Sequence, residues 1–268
     1  MEDKKQKWIY QTIAINEDDI DMYISYIKKG YCLFDIKDYL MHSFCEDFEH
    51  LYEKNKDNDF LYEHALLLRK IGNKDKGEDI KHFQIMLNLA NQGYVKAYYS
   101  LGLCYADGYG TEQDLKKAYE YLSLGASNGY LLAYNALGVM YYSGEYVKED
   151  KAKSFEIMLE CAKQGLAVSQ VNVALAYYYG TSTSKDYQKA FHYASLAASQ
   201  GHKRALYLLG NMYLDGDGVE EDYDEALYYF MKALEKGYER AREMLEYLKV
   251  RSTLLYQNKI RYKIDGRS

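Results

Sequence analysis

Apolar and small residues recur along this chain in short runs, each of which ends at a glycine. In the run Ala97, Leu101 and Tyr105, which ends at Gly108, a spacing of four residues places the three side chains on one face of a helix. A second periodic run follows Asp114, whose carboxylate can accept hydrogen bonds from the free amides of a first helical turn. The pattern therefore predicts a pair of short amphipathic helices, here called helix A and helix B.

The pair repeats every 36 residues without insertions. Two columns of this register hold only glycine: Gly72, Gly108, Gly144, Gly180 and Gly216, and Gly93, Gly129, Gly165, Gly201 and Gly237. Two more are invariant in the later repeats: Tyr105, Tyr141, Tyr177 and Tyr213, and Asp114, Asp150, Asp186 and Asp222. Because one helix pair cannot bury its apolar face alone, each pair must stack on the next. The sequence predicts an all-α fold, a right-handed α/α solenoid of stacked antiparallel helix pairs.

A further column of small residues lies inside helix A, where Gly102, Gly138 and Gly210 alternate with Ala174. Glycine within a helix costs about 0.5–1 kcal/mol relative to alanine, so its recurrence needs a structural reason. We expect the backbone of helix B to approach helix A closely at this column, with small residues such as Ala118 on its side.

The motif A-x3-LG-x2-Y-x2-G, followed by D-x3-A and A-x2-G, resembles the Sel1-like repeat, a relative of the tetratricopeptide repeat. The resemblance covers about Asp59 to Arg240. It implies an adaptor or scaffold for other proteins. A secreted branch of such proteins carries a cysteine pair in each repeat and has been linked to penicillin binding. Here Glu112 and Ser169 stand where Cys104 and Cys161 would need their partners, so that disulfide framework is not expected.

The register predicts the organisation of the chain. Residues 1–58 form an N-terminal helical cap, with helices at about Asp18 to Lys29 and Asp35 to Lys54. Residues 59–240 hold the repeats, a degenerate one at 59–92 and then 93–128, 129–164, 165–200 and 201–236. Residues 241–268 form a C-terminal capping helix, from about Glu239 to Gln257, and a basic tail. That tail is either a solvated segment or a contact for an anionic partner.

Composition and charge limit the kinds of partner and the cellular compartment that we expect for this protein. With 268 residues and a net charge of −6, nothing favours a nucleic-acid partner. No apolar stretch predicts a signal peptide or a membrane span. The four cysteines, Cys32, Cys45, Cys104 and Cys161, form no CxxC motif, which favours a reduced, cytoplasmic protein.

Few side chains suggest chemistry. The segment HSFCEDFEH places His42, Cys45, Glu46, Glu49 and His50 on one helical face, but at about 1.5 Å per residue the two histidines would lie about 12 Å apart. No metal site is therefore predicted. The segment DGDGVEED, residues 215–222, lacks the glutamate that ends a calcium loop, and GTSTSKD, from residue 180, reads as a solvated loop. We expect no enzyme activity, catalytic residue or cofactor.

The remaining candidate site is a surface on the A helices. Six residues lie opposite the core stripe: Tyr99, Asn135, Tyr142, Tyr178, Tyr207 and Asn211. Either they pack against neighbouring A helices, or they line a concave groove that binds a peptide or helix of another protein. If the six residues line a groove, the protein is expected to be a scaffold that binds other proteins. The alternatives are a regulatory or immunity-type protein that inhibits one partner, or a β-lactam-binding hydrolase like the cysteine-rich relatives. The oligomeric state stays open.

Overall fold

The computed structural model describes residues 52–53, 56–71 and 76–249, and these contain helices and connecting turns but no strand. The all-α prediction is confirmed. The helices are α1 Asn58–Ile71, α2 Lys76–Asn91, α3 Val95–Asp107, α4 Leu115–Ser127, α5 Leu131–Ser143, α6 Lys151–Lys163, α7 Ala167–Tyr179, α8 Tyr187–Ser199, α9 Lys203–Asp215, α10 Tyr223–Glu235 and α11, residues 240–249.

The chain divides into two compact units, Met1–Asp114 and Leu115–Ser268. The division falls in the loop between α3 and α4, the two helices of the 93–128 repeat. In the first unit α2 packs against both α1 and α3. In the second unit each helix from α4 to α9 packs against the helix that follows it. In the second unit the A helices are α5, α7 and α9, and the B helices are α4, α6, α8 and α10.

The A helices α3, α5, α7 and α9 end at the predicted glycines. Gly108, Gly144, Gly180 and Gly216 adopt left-handed φ values of 67°, 73°, 69° and 73°. Their amides donate to the carbonyl groups four residues earlier, which satisfies acceptors that the helix end leaves free. A residue with a Cβ would be strained in this conformation, so the invariant glycine column follows from the helix ends.

The start of helix B is also as predicted. The carboxylates of Asp150, Asp186 and Asp222 accept hydrogen bonds from the first-turn amides of α6, α8 and α10. The backbone amides of these aspartates donate in turn to the carbonyl groups of Tyr141, Tyr177 and Tyr213, at 2.8–2.9 Å. In these three loops one aspartate is therefore bonded both to the preceding helix A and to the first turn of helix B.

The small-residue column in helix A does mark a close approach. A Cβ on Gly138 would lie 3.1 Å from Ile157 Cγ2 and 3.5 Å from the Ser154 carbonyl oxygen in α6. At Gly210 the near neighbour differs from the prediction, because a Cβ there would lie 2.7 Å from two ring carbons of Phe230. The column therefore makes room for helix B side chains as well as for its backbone.

Aromatic pairs connect successive repeats. Phe155 and Phe191, on B helices, meet Tyr177 and Tyr213 on the next A helices edge to face, with ring centroids 5.4 and 5.6 Å apart. In the first unit Phe83 and Tyr105 form the same pair at 5.4 Å. Edge-to-face contacts place the positive edge of one ring on the negative face of the other. The tyrosine column thus serves packing between repeats.

The last described helix packs on the end of the repeats. Ala241 and Leu248 of α11 are buried in one core cluster with Phe230. Its role as a C-terminal cap stays a prediction. The rest of that predicted helix and the basic tail after it lie outside the described residues. So do the two predicted N-terminal helices except for positions 52–53, the His42 to His50 group, Cys32 and Cys45.

Candidate functional site

The six candidate residues differ in burial. Tyr142 is the most exposed of the six, with 44% of its surface accessible to solvent. Asn135 is only 8% exposed. The other four, Tyr99, Tyr178, Tyr207 and Asn211, are half-buried, and Tyr99 lies in the first unit whereas the rest lie in the second. The A-helix face is therefore not a uniform binding surface.

Asn135 takes part in contacts between repeats. Its Oδ1 accepts a hydrogen bond of 2.8 Å from the Ser169 hydroxyl, which belongs to the next A helix, α7. A buried amide needs such a partner because burial without one is costly. The amide group of Asn135 thus satisfies a structural need within the repeat array.

Tyr178 and Tyr207 are engaged within the protein. The Tyr178 ring meets Tyr179 and Tyr187 at centroid distances of 5.0 and 5.3 Å. Burial, followed by a hydrogen bond to the Asp217 carboxylate, raises the Tyr178 pKa. Tyr207 lies against Phe230 and Tyr238, with ring centroids 5.4 and 5.0 Å away. These rings belong to the packing at the edge of the core.

Tyr142 lines a cavity of about 260 Å³ between α5, α6, α7 and the loop after α7. Its apolar lining is Val139, Tyr142, Phe155, Met158 and Ala176, and its polar lining is Ser154, Asn172, Thr181 and Ser182. Val139 is 47% exposed, so α5 presents two open apolar side chains to this cavity. Lys151 Nζ lies 5.7 Å from the centre of the Tyr142 ring and forms an ion pair with Glu149 at 3.1 Å.

The lining indicates what this cavity can hold. It contains hydroxyl and amide groups but no charged side chain, so it offers neutral hydrogen bonds around an apolar floor. Pockets for small organic ligands usually measure about 300–1,000 Å³, and this cavity lies below that range. Its size and polarity would fit a single bulky apolar group.

Sequence reasoning missed part of this cavity. The stretch GTSTSKD is not simply solvated, because Thr181 and Ser182 line the cavity. Val139 was outside the six candidates, although it lies three residues before Tyr142 and hence on the same helix face. The available signal was the serine and threonine content of this loop, since the equivalent loops GYGTEQD, GEYVKED and GDGVEED carry acidic residues before the aspartate that starts helix B.

The described cysteines offer no reactive thiol. Cys104 and Cys161 are free and buried. Burial raises the pKa of Cys104 to about 12 and also raises that of Cys161. A thiol must ionise to act as a nucleophile, so both side chains act as small apolar groups in the core.

The repeated helix pairs and their caps define an α-helical repeat protein. Four consecutive segments, residues 95–130, 131–166, 167–202 and 203–238, match the Sel1 repeat and together make up more than half of the chain. The chain belongs to the Sel1 repeat family. Each matched segment begins at the first turn of an A helix, within two residues of the predicted repeat boundary.

Solved structures share the fold. A Sel1 repeat protein from Oxalobacter formigenes is 24% identical, with a TM-score of 0.59 over 74% of this chain and 86% of its own. A protective antigen of uropathogenic Escherichia coli with an SLR fold is 23% identical, with a TM-score of 0.56 over 85% and 51%. An immunity protein from Pseudomonas aeruginosa is 17% identical, with a TM-score of 0.56 over 87% and 85%. At these identities the likeness is one of fold.

No curated protein matches the chain in sequence. In the part of the chain that the structure describes, no helix has the length and apolar character needed to cross a bilayer.

Proposed function

We propose that this protein is a non-enzymatic adaptor or scaffold that binds a peptide or helix of another protein on its A-helix face. The cavity beside Tyr142 carries the proposal. An apolar side chain of the partner would enter it, while neutral groups such as Asn172 and Thr181 hydrogen-bond to the partner backbone. We further propose that this occurs in the cytoplasm, which suits the free thiols Cys104 and Cys161.

The burial of the candidate residues narrows the proposed contact. Tyr142 and Val139 are open to solvent, so a partner can cover them without displacing other side chains. Asn135, Tyr178 and Tyr207 already hold intramolecular contacts, and their loss would mainly weaken packing. Tyr99 and Asn211 stay as further candidates outside the cavity. We therefore centre the interface on Tyr142, since open aromatic residues at pocket edges often carry much of the binding energy.

The experiment starts with affinity purification from the native cell and mass spectrometry, followed by measurement of the dissociation constant of the identified partner. Tyr142→Ala should weaken binding about 30-fold, as expected when an interface anchor worth about 2 kcal/mol is removed. Its melting temperature should stay near that of the wild type. Tyr178→Ala should show the reverse, a lower melting temperature with little loss of affinity.

Tyr179→Ala is the matched control, because Tyr179 is an exposed tyrosine at the end of α7 that does not line the cavity. Its affinity should equal that of the wild type. Unchanged affinity in the Tyr142→Ala variant would reject the cavity as the binding site.

A second candidate function is inhibition of one specific partner. The fold shared with an immunity protein from Pseudomonas aeruginosa favours it. The same surface would be used, and the two functions differ in whether binding stops an activity of the partner. An activity assay of the identified partner with and without this protein separates them. The proposal does not extend to a β-lactam-binding hydrolase, since that resemblance depends on paired cysteines and Cys104 and Cys161 are free.

A further inference from the structure

Two departures from the repeat pattern meet at one place in the second unit. Tyr119 occupies a column that holds Phe155 and Phe191 in the next two repeats. Tyr146 occupies a column that holds glycine or serine in the other repeats: Gly110, Ser182 and Gly218. The rings of Tyr119 and Tyr146 lie together, with centroids 5.5 Å apart. The equivalent positions of the other repeats hold no such pair of rings.

A polar cluster lies at the same place. Lys153 Nζ donates a hydrogen bond of 2.8 Å to the Tyr141 hydroxyl and lies 4.0 Å from the centre of its ring. The Tyr119 hydroxyl is 3.3 Å from the Tyr141 hydroxyl. The phenylalanines of the equivalent pairs lack this second hydroxyl. Three elements, α4, α5 and α6, thus bring two phenols and one ammonium group together.

The next repeat supplies a matched lysine. Lys189 occupies the column of Lys153, and its Nζ forms an ion pair of 2.9 Å with Asp186, three residues earlier. Asp150 has the same spacing from Lys153 and, like Asp186, accepts a hydrogen bond from the backbone amide of its lysine, but no described carboxylate lies within 4.0 Å of Lys153 Nζ. The Lys153 charge is therefore not neutralised by a described ion pair.

The hydrogen bond between Lys153 and Tyr141 also changes the pKa of both groups. The hydrogen bond to Tyr141 raises the pKa of Lys153, and the same bond, together with that to Tyr119, lowers the pKa of Tyr141. Lys153 therefore stays charged at neutral pH. An ammonium group has three donors, and Tyr141 accepts one of them, which leaves two.

Tyr146 is held in a backbone conformation that a tyrosine rarely adopts. Its φ is 66°, close to the 67° and 78° of Gly110 and Gly218, and the Val147 amide donates to the Glu145 carbonyl across it at 2.8 Å. This is a tight γ-turn around a non-glycine residue. The ring is 50% exposed, so core packing does not offset the strain. Strain of this kind concentrates at functional sites.

We propose that Tyr119, Tyr141, Tyr146 and Lys153 form a binding site for a carboxylate that has an aromatic or apolar group beside it. The free donors of Lys153 and the phenol hydroxyls would hold the carboxylate, and the exposed Tyr146 ring would cover the apolar part. One uncompensated cation suits a monoanion, and the nearby charge of Asp150 disfavours a phosphate dianion. This site is separate from the cavity beside Tyr142 in its lining, and it does not depend on the proposed function.

The test is a titration of the full chain, followed by the backbone amide shifts in nuclear magnetic resonance at constant ionic strength. The probes are benzoate, acetate and inorganic phosphate. Benzoate should bind saturably and more tightly than acetate, and phosphate should bind most weakly. Lys153→Met should weaken benzoate binding about tenfold, the loss expected for one hydrogen bond to a charged group. The matched Lys189→Met variant should bind as the wild type does.

Tyr146→Gly separates binding from folding. Glycine relieves the left-handed strain, so this variant should melt at or above the wild-type temperature while its benzoate affinity falls to that for acetate. The proposal is overturned if benzoate gives no saturable shift, if both lysine variants lose affinity equally, or if phosphate binds more tightly than benzoate. Retained benzoate affinity in Tyr146→Gly would reject the aromatic part of the site.

Discussion

The repeats at 165–200 and 201–236 share their caps and register but fill the contact between helices A and B in different ways. In the first, Ala174 of α7 and Ala194 of α8 are both fully buried in one core cluster. In the second, the equivalent residues are Gly210 of α9 and Phe230 of α10, and the phenylalanine is also fully buried. The comparison shows that the large ring on helix B goes with the absence of a Cβ on helix A, because a Cβ at position 210 would lie 2.7 Å from two ring carbons of Phe230.

The free energies of the two residues explain why the pair of Gly210 and Phe230 is tolerated. Glycine in a helix costs about 1 kcal/mol relative to alanine. Burying a phenylalanine side chain contributes about 1.5–3 kcal/mol relative to leaving it in solvent. The glycine at 210 therefore costs less than the buried ring contributes. The glycine lies on α9 and the phenylalanine on α10, so the two energies are linked only through the contact between these helices.

The largest loss of stability is expected when the ring of Phe230 is removed. Phe230→Ala should lower the free energy of unfolding by about 3–5 kcal/mol, because it removes a fully buried ring and leaves a cavity beside Gly210. Urea unfolding measures this. Leu227→Ala is a control on the same helix, because Leu227 is partly exposed and its truncation should cost far less. Equal losses in the two variants would contradict the assigned role of the ring.

The next largest effect is expected for Gly210→Ala, which should lower the free energy of unfolding by about 1–3 kcal/mol. The cause is overpacking, since the added Cβ would lie 2.7 Å from two carbons of the Phe230 ring. The double variant with Phe230→Ala rebuilds the alanine pair of the previous repeat. It should be more stable than the sum of the two single losses implies. Strict additivity in this double-mutant cycle would show that the two positions do not interact.

Gly138→Ala should have the smallest effect, within about 1 kcal/mol of the wild type, because the gain in helix propensity offsets a contact at 3.1 Å from Ile157 Cγ2. Gly138→Leu should lower the free energy of unfolding by about 1–3 kcal/mol, since the larger side chain must push α6 away. Thermal or urea unfolding tests both. A leucine variant as stable as the wild type would show that the helices are not in close contact here.

Local interactions made much of the fold predictable. The glycines at 108 and 144 end helices through a left-handed conformation, and Asp150 caps the next helix through its own first turn. These effects act within a few residues, so they leave a pattern in the sequence. The inter-repeat phenylalanine contacts were not predicted, because Phe155 and Tyr177 meet only after two repeats stack.

The candidate site was less predictable. Helical spacing placed Asn135 and Tyr142 on the same side of α5, yet Asn135 is buried against Ser169 and Tyr142 is exposed beside a cavity. Spacing sets the direction of a side chain from its own helix, but the neighbouring helix decides whether that direction leads to solvent. The same holds for Tyr207, which Phe230 and Tyr238 flank.

The sequence by itself determined the helix pairs, their caps and the 36-residue register, because backbone conformation and capping depend on residues near in the chain. The tertiary structure alone decided that Lys153 contacts Tyr141 whereas Lys189 pairs with Asp186. Both lysines follow an aspartate by three residues, so their local sequence is the same in this respect. The Tyr119 hydroxyl, which comes from the preceding helix B, lies 3.3 Å from the Tyr141 hydroxyl, whereas Phe155 brings no hydroxyl to Tyr177, and such contacts form only when successive repeats stack.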